Sequence, residues 1–294
     1  MRKLILSLLA LCSISSALNA QTVLMMPDST NNRLVTFDPF NGSLINSNVF
    51  GLAAGTPVHA MQVGNEIWVS EQLGDRVSRW SFSGSSLGAL TGTMDNLRGM
   101  EQVGNTIYVC NDGTGNGAPG ESLRMFDASG NSLGFFATPS SSPFGILDHR
   151  GRLLVSSDAA NDDVHSYSYA GSPLGTFHNS TSLNFAEQMD IDVNGNVLVA
   201  GFSTNNVVRL DPGTGALVGQ FTASGARGVH QLGNGDIMWT NSSGVHIFNV
   251  STGGSSQVYS GGGRYIDVLT VPEPGTVVAF MVLAGLASRR RIKK

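Results

Sequence analysis

Lysine is missing from the whole interior of this chain: the only lysines are Lys3, Lys293 and Lys294, and every basic residue between Gln21 and Pro274 is an arginine. Ten arginines there face 21 acidic residues, a net charge of -11, whereas the full 294-residue sequence carries only -4. So acidic a stretch repels phosphate backbones and anionic headgroups at long range, which argues against nucleic acid as a partner. Cysteine is nearly absent too. Of Cys12 and Cys110, the first lies in a segment expected to be removed, so no intramolecular disulfide is expected and stability has to come from a packed core. Charged residues make up only 13% of the chain, while 37 glycines and many serines and asparagines favour short strands and turns over helices. The apolar run near the C-terminus, Thr276 to Ala287, covers only about 18 Å as a helix, short of a ~30 Å hydrocarbon core.

What the chain does have is an internal period. Six apolar segments recur: VLMM from Val23, IWVS from Ile67, IYVC from Ile107, LLVS from Leu153, VLVA from Val197 and IMWT from Ile237, spaced by 44, 40, 46, 44 and 40 residues. Each is followed by a second strand ending in a bulky apolar residue and then Asp, Asn or Ser, as in Phe37-Asp38, Trp80-Ser81, Phe126-Asp127, Tyr167-Ser168, Leu210-Asp211 and Phe248-Asn249. A third segment follows the turn, and a further strand precedes every IWVS-like segment from the second onward. Four short strands per unit of this length predict an all-β, six-bladed β-propeller. The missing strand before Val23 reappears as RYIDVL at Arg264 to Leu269, so the ring is expected to close by pairing this strand inside the N-terminal blade, which removes exposed sheet edges. The blades resemble NHL-type and streptogramin-lyase-like propellers, on PFGILD at Pro143, GRLLVSSD at Gly151 and VVRLDPGTGALVGQF at Val207. That resemblance implies architecture rather than activity.

Several motifs dissolve on inspection. Gly115, Gly117 and Gly120 form G-x-G-x-x-G, but the chain enters a strand at Leu123 where a dinucleotide loop needs a helix, so an extended loop on a binding face is expected. DIDVNG at Asp190 to Gly195 begins like a calcium loop yet puts Gly201 at the position of the bidentate glutamate, which predicts a polar hairpin turn. The six histidines show no metal-ligand spacing, and Cys110 has no recognisable base, so neither a metal, a cofactor nor a catalytic residue is assigned.

The register singles out two columns. At the start of the innermost strand stand Val58, Arg98, Phe144, Glu187, Arg227 and Arg264, so three of the ten interior arginines share one column with a glutamate near a channel mouth. Convergent guanidinium groups suit a carboxylate or acidic sugar, which makes Arg98, Glu187, Arg227 and Arg264 the candidate ligand-binding residues. Three residues further on stand Met61, Glu101, Leu147, Asp190, His230 and Asp267. The competing expectation is that these acids pair with the arginines across blades and the columns are structural.

The two ends carry signals of their own. Arg2 and Lys3, an apolar stretch from Leu4 to Leu11 and small residues up to Ala20 have the layout of a secretory signal, with cleavage expected between Ala20 and Gln21. Leu11 stands where a lipobox before Cys12 needs a small residue. At the other end, Val271, Pro272, Glu273 and Pro274 precede the apolar run and the basic cluster Arg289, Arg290, Arg291, Lys293 and Lys294. This resembles the PEP-CTERM sorting tail of Gram-negative bacteria, which implies an exosortase as processing partner and transient membrane contact through the tail. The expected organisation is therefore a signal peptide at 1–20, a propeller at 21–270 and a sorting tail at 271–294. The resemblance implies an exported, surface-sorted protein associated with extracellular polysaccharide or biofilm matrix. The leading expectation is a non-catalytic binding module for an anionic polysaccharide or another surface protein. A propeller lyase or lactone hydrolase with a channel-mouth metal, and a purely structural assembly unit, are the alternatives.

Overall fold

The computed structural model describes residues 21–138, 142–158 and 163–271, in which the chain forms six four-stranded antiparallel sheets. These are the six blades that the repeat predicts, and a single 3-10 turn, Gly115–Gly117, is the only helical element among the described residues. Five innermost strands are Pro57–Val63, Leu97–Val103, Pro143–His149, Ala186–Ile191 and Gly228–Gln231, each paired with the next strand outward. The sixth blade is composite, in the order Asp267–Val271, Gln21–Asp28, Arg33–Phe37, Leu44–Gly51. The Ala20/Gln21 cleavage point thus falls at the start of a strand, with Ala20 outside the described residues. Val271 ends the closing strand, and Pro272, Glu273, Pro274 and the rest of the tail also lie outside them.

The closing strand starts later than the sequence suggests. Arg264 to Ile266 stay outside the ladder because neighbouring blades engage their backbone: Tyr265 N–H donates to Val58 O at 3.1 Å, Arg264 O accepts from the Thr240 hydroxyl at 2.7 Å, and Ile266 N–H donates to Gln188 Oε1 at 2.9 Å. Asp28, fully buried, completes the closure by accepting from Tyr259 OH at 2.6 Å and from Gly262 N–H at 2.9 Å. Burial would raise its pKa, but these bonds and those from Asn31 hold it below the usual carboxylate range.

The repeated apolar-then-polar pairs turn out to be turn anchors. Asp38, Asp127 and Asp211 each accept backbone N–H groups from the turn they open, and Ser81 and Ser168 do the same through their hydroxyls. This is why the motif recurs: a short side-chain acceptor satisfies turn amides that have no strand partner. The segment DIDVNG is the polar hairpin expected, with Asp192 accepting from the Asn194 and Asn196 amides and lying 2.8 Å from Arg209 Nε.

The core lies between blades. Leu147, Leu154 and Phe177 of one blade pack with Met189, Val199 and Val208 of the next, and Trp68 and Val77 pack with Met100, Ile107 and Val109. Because each blade buries its faces only against neighbours, the ring stands or falls as a unit. A hydroxyl brace reinforces three of these joints: Ser70, Ser156 and Thr240 donate to the carbonyls of Arg98, Glu187 and Arg264 in the following segment.

Candidate ligand-binding channel

Ladder register slips in four innermost strands, at Pro57/His59, Leu97/Met100, Pro143/Ile146 and Ala186/Met189. A bulge re-aims side chains, and here it lets positions three apart in sequence both reach the central channel. The channel therefore has three levels: the arginine column at the mouth where the innermost strands begin, a middle level, and the Glu101 column at the opposite mouth.

The first mouth gathers all four residues singled out from the sequence. Arg227 Nη1 donates to Glu187 Oε1 at 2.9 Å, and Glu187 itself is buried. Burial raises the Glu187 pKa, opposed by the positive charges of Arg227, Arg264 and Arg98. Arg98 lies 3.8 Å from Asp112, which belongs to the glycine-rich loop, so that loop does contribute to this face. Nearby Asp158 is pushed up, chiefly by burial and by Asp112. Arg264 donates from Nε to the Ser29 hydroxyl at 3.0 Å, and among the described residues no carboxylate lies within 4 Å of it. Burial and the charges of Arg227 and Arg98 bring its pKa down to about 10, against the pull of Glu187.

Aromatic rings support these cations, and of these rings the sequence column contains Phe144 but not Phe185 or Phe202. The Arg98 guanidinium sits 4.5 Å from the centre of Phe144, and that of Arg227 sits 4.5 Å from Phe202. Phe185 is wedged edge-to-face between the two, at 4.7 and 5.1 Å. Its φ of 55° is a left-handed conformation that a bulky side chain rarely takes. Asn96 and Gly225 adopt the same hand two residues before Arg98 and Arg227, so a shared entry turn aims the ring residues inward. The only sequence signal for Phe185 was its place two residues before Glu187.

The middle level is filled by Tyr265, Gln188 and His59, all at least nine-tenths buried, beside Gly99, Gly145 and Gly228. A side chain at Gly99 would meet Phe144 O at 2.7 Å and the Tyr265 ring at 3.2 Å, so glycine there makes room for the tyrosine. Gln188 Oε1 accepts from Val229 and Ile266 amides, at 3.1 and 2.9 Å, tying three blades together. The Tyr265 hydroxyl is buried with no hydrogen-bond partner among the described residues.

The opposite mouth is a cavity of ≈ 270 Å³ lined by Glu101, Asp190, Asp267, His59 and His230. The expectation that these acids pair with the arginines is wrong. At ~3.3 Å per residue, three positions along a strand put the two columns about 10 Å apart, with the middle level between them. Instead, His230 Nδ1 meets Asp190 Oδ2 at 2.6 Å and His59 Nε2 stands 3.5 Å from Asp267 Oδ2. Burial lowers the His230 pKa, but Asp190 and Asp267 outweigh it and leave it raised. Glu101 is pushed up to about 8, by burial first and then by Asp267, Asp148 and Asp190. Among the described residues no three His, Cys, Asp or Glu side chains converge to hold a metal. Cys110 is fully buried and its thiol pKa raised by that burial, which leaves it inert as a nucleophile.

No family model and no curated protein sequence matches the chain. Solved structures do, at low identity. A protein of unknown function from Bacteroides caccae is 15% identical with a TM-score of 0.62, covering 84% of this chain and 98% of its own. A chain of a nidogen/laminin complex is 12% identical with a TM-score of 0.69, over the same shares. A streptogramin B lyase is 14% identical with a TM-score of 0.57, over 81% of this chain and 88% of the lyase. Likeness at these identities shows the propeller fold and no shared chemistry.

Proposed function

We propose that the protein is an exported, surface-sorted propeller that binds a carboxylate-bearing, saccharide-derived group at its arginine mouth and performs no chemistry on it. The observation that carries this reading is Arg264. It is a half-buried cation placed beside two further arginines, held by a neutral hydroxyl, and it faces no carboxylate of its own within 4 Å among the described residues. Keeping like charges together costs stability, and an entering anion relieves it while gaining charge-assisted hydrogen bonds. The phenylalanines beneath Arg98 and Arg227 hold the guanidinium planes in fixed positions, which favours bidentate recognition. Export and sorting rest on the two terminal signals, with an exosortase as the processing partner and extracellular polysaccharide or matrix as the setting.

The test uses uronic-acid oligosaccharides and the double variant Arg98→Gln with Arg227→Gln. Each charge-assisted contact is worth roughly 1.5 to 3 kcal/mol, so the double variant is expected to bind about a hundredfold or more weaker. Removing Arg227 also strands buried Glu187, so a lowered melting temperature accompanies the loss. Lowered melting temperature with undiminished binding returns Arg98 and Arg227 to a bracing role.

A further inference from the structure

The cavity at the opposite mouth carries a different ligand chemistry, independent of the acidic-ligand reading. Around it stand His59 from the second blade, Glu101 from the third, Asp190 from the fifth, His230 from the sixth and Asp267 from the closing strand. Asp190 is matched by His230 at 2.6 Å. Glu101 has no such partner: among the described residues no basic side chain lies within 4 Å of it, while three carboxylates repel its charge.

A second feature is a buried histidine. His59 is 7% exposed, and its Nδ1 accepts the Met100 N–H at 2.9 Å, which leaves Nε2 as the ring's donor. That Nε2 is buried and makes no hydrogen bond, with Asp267 standing off at 3.5 Å. The wall of the cavity thus gathers three carboxylates, of which only Asp190 has a close histidine partner, together with one buried donor that makes no hydrogen bond. A cation with its own oxygen atom satisfies both.

We propose that this cavity binds a small amino alcohol in its ammonium form, with the ammonium among Glu101, Asp190 and Asp267 and the hydroxyl oxygen accepting from His59 Nε2. An ammonium presents three N–H donors in a fan, which suits acceptors spread around a wall. A metal ion needs ligands drawn to one point, and no such set of three converges among the described residues. The volume of ≈ 270 Å³ lies just under the lower end, about 300 Å³, of ordinary small-molecule sites, which suits a small ligand. Since Glu101 holds a proton at neutral pH, an arriving ammonium converts the carboxylic acid to carboxylate and sends that proton to solvent.

The test is titration calorimetry of the purified protein at pH 7 with ethanolamine, in two buffers that differ in their heat of protonation. Ethylamine and ethylene glycol serve as matched probes that lack the hydroxyl and the charge. Ethanolamine is expected to bind with release of close to one proton per ligand, ethylamine about tenfold weaker, and ethylene glycol not at all. Glu101→Gln is expected to bind roughly ten- to hundredfold weaker and to release no proton. If that variant does not fold, the ranking of ethanolamine over ethylamine and ethylene glycol on the parent protein decides. Equal binding of ethylene glycol, ethanolamine binding without proton release, or binding of calcium but not of ethanolamine would each overturn the proposal.

Discussion

Deleting Arg264 through Val271 is expected to unfold the whole propeller rather than fray one blade. The segment contributes Tyr265, Ile266 and Leu269, all 3% exposed or less, along with the acceptor for Thr240 and the amide that Gln188 holds. Burying each large side chain is worth about 1.5 to 3 kcal/mol, so the three together approach the ~5 to 15 kcal/mol that keeps a typical domain folded. The deletion also leaves the strand Gln21–Asp28 as an open edge and strips Ile266 from the cluster in which Leu24 and Met26 pack with Met238 and Val245. Circular dichroism and thermal melting check this. A cooperative transition within a few degrees of the parent would show that the ring does not depend on the composite blade.

Replacing Glu101 by glutamine is expected to leave the protein nearly unchanged near pH 4 and to make it progressively more stable than the parent as pH rises to alkaline values. The carboxyl has a native pKa of about 8 against an ordinary 4.5, so between those values the native state keeps a proton that the unfolded chain has lost. Stability therefore falls as pH rises through that window. Fully ionised, the group costs on the order of a few kcal/mol, since each tenfold difference in proton affinity between the native and unfolded chains is worth about 1.4 kcal/mol. Glutamine resembles the protonated acid in shape and cannot ionise, which removes this part of the slope. His230 adds to the decline in the parent and the variant alike, because its raised pKa gives stability that is present below its ordinary value and lost as pH rises. Melting curves of both proteins at pH 4 and pH 9 provide the comparison. An equal loss of melting temperature in both would mean that Glu101 ionises freely.

The blade count was legible because every blade repeats the same hairpin chemistry. An apolar residue followed by Asp or Ser closes one turn per unit, as Asp38, Ser81, Asp127, Ser168 and Asp211 show, so the period survives although the other residues differ. The arginine column was legible for the same reason. The pairing of the second column was not. A spacing of three reads as proximity in sequence, whereas the bulges and the strand rise carry Glu101, Asp190 and Asp267 to the far mouth, where they meet His59 and His230. His59 and Asp267 come from opposite ends of the chain and meet only because the ring closes between them. The aromatic support was hidden too, because Phe185 and Phe202 lie in connections between strands, where no periodic pattern points to them.

Arg264→Gln offers the most direct measurement of anion binding at the arginine mouth, because among the described residues this arginine has no carboxylate within 4 Å to brace. The parent and the variant are titrated with the same uronic-acid oligosaccharides while their melting temperatures are recorded. An anion-binding mouth predicts about tenfold or greater loss of affinity with the melting temperature little changed, since relief of the repulsion among Arg98, Arg227 and Arg264 offsets the lost attraction to Glu187. Equal affinity in the two proteins, or no binding by the parent, would contradict it.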